Sequence, residues 1–212
     1  MTTRVRIAEP SDEPPAIAAA VDVLRRGGIV AYPTDTLYGL AADPASDEAM
    51  ARLFDVKGRE RAQAIPLIAA TLGQACEAGE FGADEMRLAR ALWPGPLALV
   101  VAARPSLSRA VVAADGSVAI RVPRHPLARN LAAAFGGCIT ATSANLSGQP
   151  ATASAATVAA TMADRIDLLL DAGEAPGGPP STIVAVRAGG PVLVRDGAIA
   201  WERVLESLRG NP

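Results

Sequence analysis

The chain alternates short apolar runs with stretches whose apolar residues recur at helical spacing. In PPAIAAAVDVLRR, residues 14–26, Ile17, Val21 and Leu24 share one helical face, and Gly27-Gly28 stops the helix. An apolar strand is predicted over 28–32. It ends at Pro33, which fixes its own φ and holds Tyr32 extended, and a short extended piece is expected in TDTLYG before Gly39. Ser46 can cap a second helix with Asp47 and Glu48 in its first turn and Met50, Leu53 and Phe54 on its apolar face, running out near Lys57-Gly58-Arg59. A strand over 65–70, a helix over 82–92 and a strand over 96–102 after the WPGP turn come next. Residues 105–116 read as loop with room for one helical turn.

The second half continues the pattern. Residues 117–122 read as a buried strand that nevertheless carries Arg121, and Pro126 opens a helix over 127–135 that Gly136-Gly137 closes. A strand over 138–142 runs straight into Ser143-Ala144-Asn145. A helix over 154–163, strands over 167–170, 182–186 and 192–195, and a last helix over 200–208 complete the chain; DAGEAPGGPP, between the first two of these strands, reads as loop. About six helices and eight short strands thus interleave, with no fixed-period repeat. Several strands are only a few residues apart and require antiparallel neighbours. The expected fold is one α/β domain over 1–212 (α+β in some schemes), a twisted, mixed, open sheet with helices on both sides.

Composition sharpens the picture. A chain of 212 residues hides roughly 70% of its unfolded surface on folding, enough for a core without disulfides or structural metal. Half the residues are apolar but only 3% are aromatic, so the core is small and branched, and stacking platforms for bases are scarce. Cys76 and Cys138 are isolated, the first ten residues lack the apolar run of a signal peptide, and no window has the length of a membrane span. A reducing, cytoplasmic setting is expected. The net charge of -2, from 20 basic and 22 acidic residues, supplies no general field for a polyanion, so any anion site is local. Lys57 is the only lysine among those 20 basic residues, which singles it out for a role that suits a compact ammonium, unless coding bias alone explains it.

Familiar catalytic signatures are missing. His125, the single histidine, has no partner for zinc or a Cys-His pair and reads as structural or surface; GxSxG, GxxxxGK[ST] and GxGxxG do not occur. What remains are polar groups at the ends of apolar strands: Thr34 and Thr36, Lys57 and Arg59, Arg121, Ser143 and Asn145, Ser181 and Thr182, and Arg195. Strand ends in α/β proteins converge on crevices, so several of these could meet one ligand. Lys57 and Arg59 have the spacing to embrace a phosphate chain, although KGR is also ordinary surface sequence. Ser143 and Asn145 suit phosphate or ribose, and equally a turn or helix cap. Arg121 in VAIRV needs an anion, either an internal Asp or Glu or the carboxylate of a ligand.

Taken together, GGIVAYPTDTLYGLAADP, KGR, WPGPLALVV, VAIRVPRHPLA, TATSANLSGQP, STIV and LVRDGAI resemble, in order, the YrdC-like family of threonylcarbamoyl-AMP synthases in its short bacterial form, over about residues 18–197. The resemblance implies an ATP site at Lys57, Arg59, Ser143, Asn145 and Arg195, with Lys57 and Arg59 as catalytic cations. It implies a threonine site at Thr34, Arg121 and Ser181, with Thr36, Tyr38, Thr142 and Thr182 as further candidates around it. The implied substrates are ATP with Mg²⁺, L-threonine and bicarbonate or CO₂. No protein ligands for metal and no tightly bound cofactor are implied. The product would pass to the complex that modifies position 37 of ANN-decoding transfer RNA; weak transfer-RNA binding is a further expectation, and no membrane is involved. The family continues its KxR motif with proline and, three positions later, lysine or asparagine; Glu60 and Gln63 stand there instead, which leaves room for a paralogue acting on another carbamate. Residues 59–63 are the candidate lid. A non-catalytic RNA-binding module is the competing class.

Overall fold

Local signals decide where most elements begin and end. The computed structural model describes residues 2–58 and 64–209. In chain order it contains β1 (Thr3–Arg6), a 3-10 turn (Pro10–Asp12), α1 (Glu13–Arg25), β2 (Val30–Tyr32), β3 (Gly39–Ala41), α2 (Asp47–Lys57), β4 (Leu67–Ile68), α3 (Leu72–Ala78), β5 (Gly79–Glu80) and α4 (Ala83–Leu92). Then come β6 (Leu97–Ala103), β7 (Ser117–Arg121), α5 (Pro126–Phe135), β8 (Ile139–Thr140), β9 (Thr142–Ser143), α6 (Ala155–Thr161), β10 (Leu168–Asp171), β11 (Thr182–Arg187), β12 (Gly190–Arg195) and α7 (Trp201–Arg209). The Ser46 hydroxyl accepts from the Ala49 N–H and starts α2; Gly58, at φ +59°, ends it in a left-handed conformation that L side chains rarely adopt.

Several elements differ from the sequence expectation. The strand near Gly39 begins at that residue and not before it. The expected strand over 138–142 is two pieces broken at Ala141, whose N–H turns aside to Pro66 O at 2.8 Å. No helical turn forms within 105–116, which is held by turns. β1, α3 and β5 were unforeseen. β1 buries none of its four residues, so it has no hydrophobic signature, and α3 carries Gly73, a poor helix former, although Thr71 caps it by accepting from Gln74 N–H.

The strands form two mixed ladders, one ordered β1-β10-β2-β3-β9, the other β12-β11-β6-β7-β4-β8 with β5 beside the far end of β6. β1, β10 and β2 run parallel, as do β11 with β6 and β7 with β4; the other pairings are antiparallel. Residues 139–143 join the ladders: β8 pairs with β4, β9 pairs with β3, and Thr140 Oγ1 both accepts from Ala42 N–H and donates to Leu40 O. Two cores flank this junction. Val30 and Tyr32 of β2 face one core with α1 and α5, while Ile29 and Ala31 face the other with α2 and α4. Both faces are apolar, which explains why these strands read as continuous runs and not as alternations.

Candidate functional site

A cavity of about 620 Å³ opens where the ends of β2, β4, β7, β9, β11 and β12 converge, a volume within the range of small-molecule sites. Of the residues singled out from sequence, Thr34, Thr36, Tyr38, Arg121, Thr142, Ser143, Ser181 and Arg195 border it, against apolar walls that include Leu37, Pro66, Leu67, Ala98 and Ile183.

The turn after β2 builds one wall. Pro33 ends the strand, and Thr34 Oγ1 accepts from Thr36 N–H at 3.1 Å and donates to Leu37 O at 2.7 Å, so a side chain replaces backbone pairing and stiffens the turn. The two threonine hydroxyls lie 3.2 Å apart. Tyr38 donates its hydroxyl to Gly173 O at 2.9 Å; burial pushes its pKa up to about 12, so it stays a protonated donor. Gly177 N–H donates to Thr36 O at 2.8 Å and ties the loop before β11 to the same wall. Gly197, just after β12, packs on the end of that loop and must be glycine: a Cβ would meet Pro180 O at 2.3 Å, and this close approach sets Ser181 at the cavity edge.

Two guanidinium groups face this space. Arg195 donates through Nη2 and Nε to Ser181 O at 2.8 and 3.2 Å. Burial, and then the charge of Arg121, lower its pKa. Arg121, at the end of β7 and 6% exposed, places Nη1 3.2 Å from Asp35 Oδ1. The structure therefore supplies an internal acid for this arginine. Neither Asp35 oxygen nor Arg121 Nη1 makes a well-directed hydrogen bond, so the pair is a charge contact and not a locked fork. His125 lies near enough to feel Asp35, but burial dominates and lowers its pKa; its Nδ1 is buried without a hydrogen-bond partner.

Lys57 connects the other side. It ends α2, is 4% exposed, and donates through Nζ to Ser143 O at 2.6 Å and Asn145 Oδ1 at 2.8 Å. Ser143 Oγ also donates to Asn145 Oδ1, Asn145 Nδ2 donates to Gln149 O, and Ser147 N–H donates to Lys57 O at 2.9 Å. The lysine of KGR and the polar pair of SAN, distant in sequence, form one hydrogen-bonded unit whose Ser143 touches the cavity. Arg59, Glu60, Gln63 and the candidate lid lie outside the described residues. Thr182 is placed differently: its hydroxyl donates to Ile199 O at 2.8 Å, accepts from Ile199 N–H at 2.9 Å, and is fully buried. Asp35 escaped the candidate set, although an arginine in an apolar strand signals that an acid stands near. The apolar walls from Ala98 and Ile183 carried no sequence signal. Among the described residues no three His, Cys, Asp or Glu side chains are grouped to hold a metal, and no helix is long and apolar enough to cross a membrane.

The Sua5/YciO/YrdC family model, whose description reads "Telomere recombination", matches residues 22–197. A Mycobacterium tuberculosis relative is 35% identical over 211 residues, 98% of this chain and 96% of its own. The threonylcarbamoyl-AMP synthase of Chromohalobacter salexigens is 43% identical over 158 residues, 72% of this chain and 83% of its own. The crystal structure of Pyrococcus abyssi Sua5 complexed with L-threonine superposes with a TM-score of 0.89 at 32% identity, over 98% of this chain and 60% of that longer one.

Proposed function

The chain belongs to the YrdC/Sua5-like threonylcarbamoyl-AMP synthase family, and from that premise we propose that it makes threonylcarbamoyl-AMP and pyrophosphate from L-threonine, bicarbonate or CO₂, and ATP. The observation that carries the reading is the meeting of Arg121, Arg195 and the Lys57-bound Ser143 around one small cavity. A small cavity bordered by two guanidinium groups and several hydroxyls suits a substrate pair that carries a carboxylate and phosphates.

In this mechanism Arg121 receives the α-carboxylate of threonine, and Thr34 and Ser181 border the amino acid, with Thr36, Tyr38 and Thr142 shaping its surroundings. Lys57, Arg59, Ser143, Asn145 and Arg195 hold ATP, while Thr182 supports the strand beneath. Threonine nitrogen and CO₂ give N-carboxythreonine; its new carboxylate oxygen bonds to the α-phosphorus as the bond from that phosphorus to the bridging oxygen breaks, and pyrophosphate leaves. Fixed cations and donors stabilise the charge that gathers on the phosphoryl oxygens, so the protein needs no nucleophile. ATP would bring Mg²⁺ with it, which would neutralise part of the phosphate charge that Lys57, Arg59 and Arg195 face. The adenylate then serves t6A modification of transfer RNA in the cytoplasm.

The test is pyrophosphate release by pure protein with each component omitted in turn and with all twenty amino acids. Release that needs ATP, bicarbonate and threonine together is expected. Equal release without bicarbonate contradicts the carboxylation step, preference for another amine marks a paralogue, and tight RNA binding with no release favours the non-catalytic module.

A further inference from the structure

Two like charges border one small cavity, and only one of them has a charged partner there. Among the described residues Arg195 is held by the neutral Ser181 carbonyl, whereas Arg121 stands 3.2 Å from Asp35. The Asp35 carboxylate does nothing for its own turn, which Thr34 Oγ1 and the backbone already lock. Both its oxygens are buried without a hydrogen bond, an arrangement that costs stability and calls for a compensating role. Its neighbours in sequence, Thr34 and Thr36, line the cavity, and Asp35 reaches it through Arg121, which lines it too. His125 cannot replace Arg121 as the cation beside Asp35 at neutral pH, because burial holds the imidazole in its neutral form.

We infer that Asp35 is a positioning and specificity residue: it holds Arg121 by one edge and cancels one of the two positive charges of the cavity, so that a ligand is selected by the orientation of a single carboxylate and not by anionic charge alone. Without it, Arg121 and Arg195 would form an uncompensated dication that draws in any small anion. With it, an incoming carboxylate must share Arg121 with Asp35, and only a ligand whose remaining groups also fit between Thr34 and Ser181 gains enough to stay. The amino-acid half of this inference rests on the proposed function; the charge-setting half does not.

The test uses Asp35→Asn, which keeps side-chain size and the hydrogen bonds of the turn, with inorganic phosphate as a charge-only ligand and L-threonine as the shaped one. Phosphate affinity is expected to rise at least about threefold and threonine-dependent turnover to fall at least about tenfold, phosphate protecting the variant against thermal unfolding more than it protects the unsubstituted protein. In the Arg121→Gln background the stranded Asp35 carboxylate offsets Arg195, so phosphate affinity should fall below that of the unsubstituted protein, and adding Asp35→Asn should restore it; the doubly substituted protein lacks both buried charges and keeps the test available if Asp35→Asn alone does not fold. Equal losses of phosphate and threonine binding would show a merely structural role and overturn the inference, as would a phosphate affinity that Asp35→Asn leaves unchanged both with and without Arg121. If the unsubstituted protein binds no threonine, the proposed function fails while the phosphate measurements still decide the role of Asp35.

Discussion

Arg121 sits in an apolar strand, and its guanidinium is tolerable there because Asp35 lies 3.2 Å away. Half of this pair was legible: an arginine in VAIRV demands an anion, but nothing along the chain says that it comes from the turn after β2, since the contact exists only once β7 and that turn are brought together. The pairing has a consequence for stability. Arg121→Gln would strand a buried carboxylate, and a loss near the low end of the range for broken buried pairs, about 3 kcal/mol, is expected because the cavity admits water to one side. Denaturant unfolding at neutral pH measures it. An unchanged midpoint would mean that the Asp35 carboxylate is solvated, and that the arginine answers only to ligand.

At the scale of elements, helices with caps and one-sided apolar faces were the most readable parts. Ser46, Pro126 and the Gly136 stop left marks in sequence, and α2 and α5 follow them. Short strands left weaker marks. β4, β8 and β9 have two residues each and owe their extension to neighbours, as Ala141 shows by turning its N–H to Pro66 at the break between β8 and β9. The junction of α2 with the 143–149 loop was invisible in sequence as well, because Lys57 and Asn145 were each read as ligand groups while the structure also bonds them to each other. Lys57→Met keeps length and apolar stem but removes the ammonium. Amide exchange within 143–149 should then quicken and ATP affinity fall at least about tenfold, with the exchange of β6 unaltered. Slow exchange in the loop with normal ATP affinity would deny the lysine both roles.

For the whole molecule, the mixed sheet with helices on both sides was legible from strand spacing, whereas its division into two ladders sharing residues 139–143 was not. Such pairing is set by long-range register, and uniformly apolar strands carry no alternation from which to read it. Burial of the single histidine should also appear in global stability. The pKa of His125 is lowered from 6.5 in the folded state, so below about pH 6.5 the unfolded chain binds the proton more readily and stability falls as pH drops; above that value this contribution is constant. Melting curves for His125→Gln should lose less stability than the unsubstituted protein between about pH 6.5 and 5, and parallel curves would place the histidine in solvent.

The most direct test follows carbon from ¹³C-bicarbonate in the presence of threonine and ATP. The expected result is ¹³C in a carbamoyl group joined to AMP, formed with one pyrophosphate per label, absent when threonine is omitted, and lost in Arg121→Gln under conditions where that variant remains folded and binds ATP. An unlabelled threonyl adenylate, or label incorporation that does not need threonine, would contradict it.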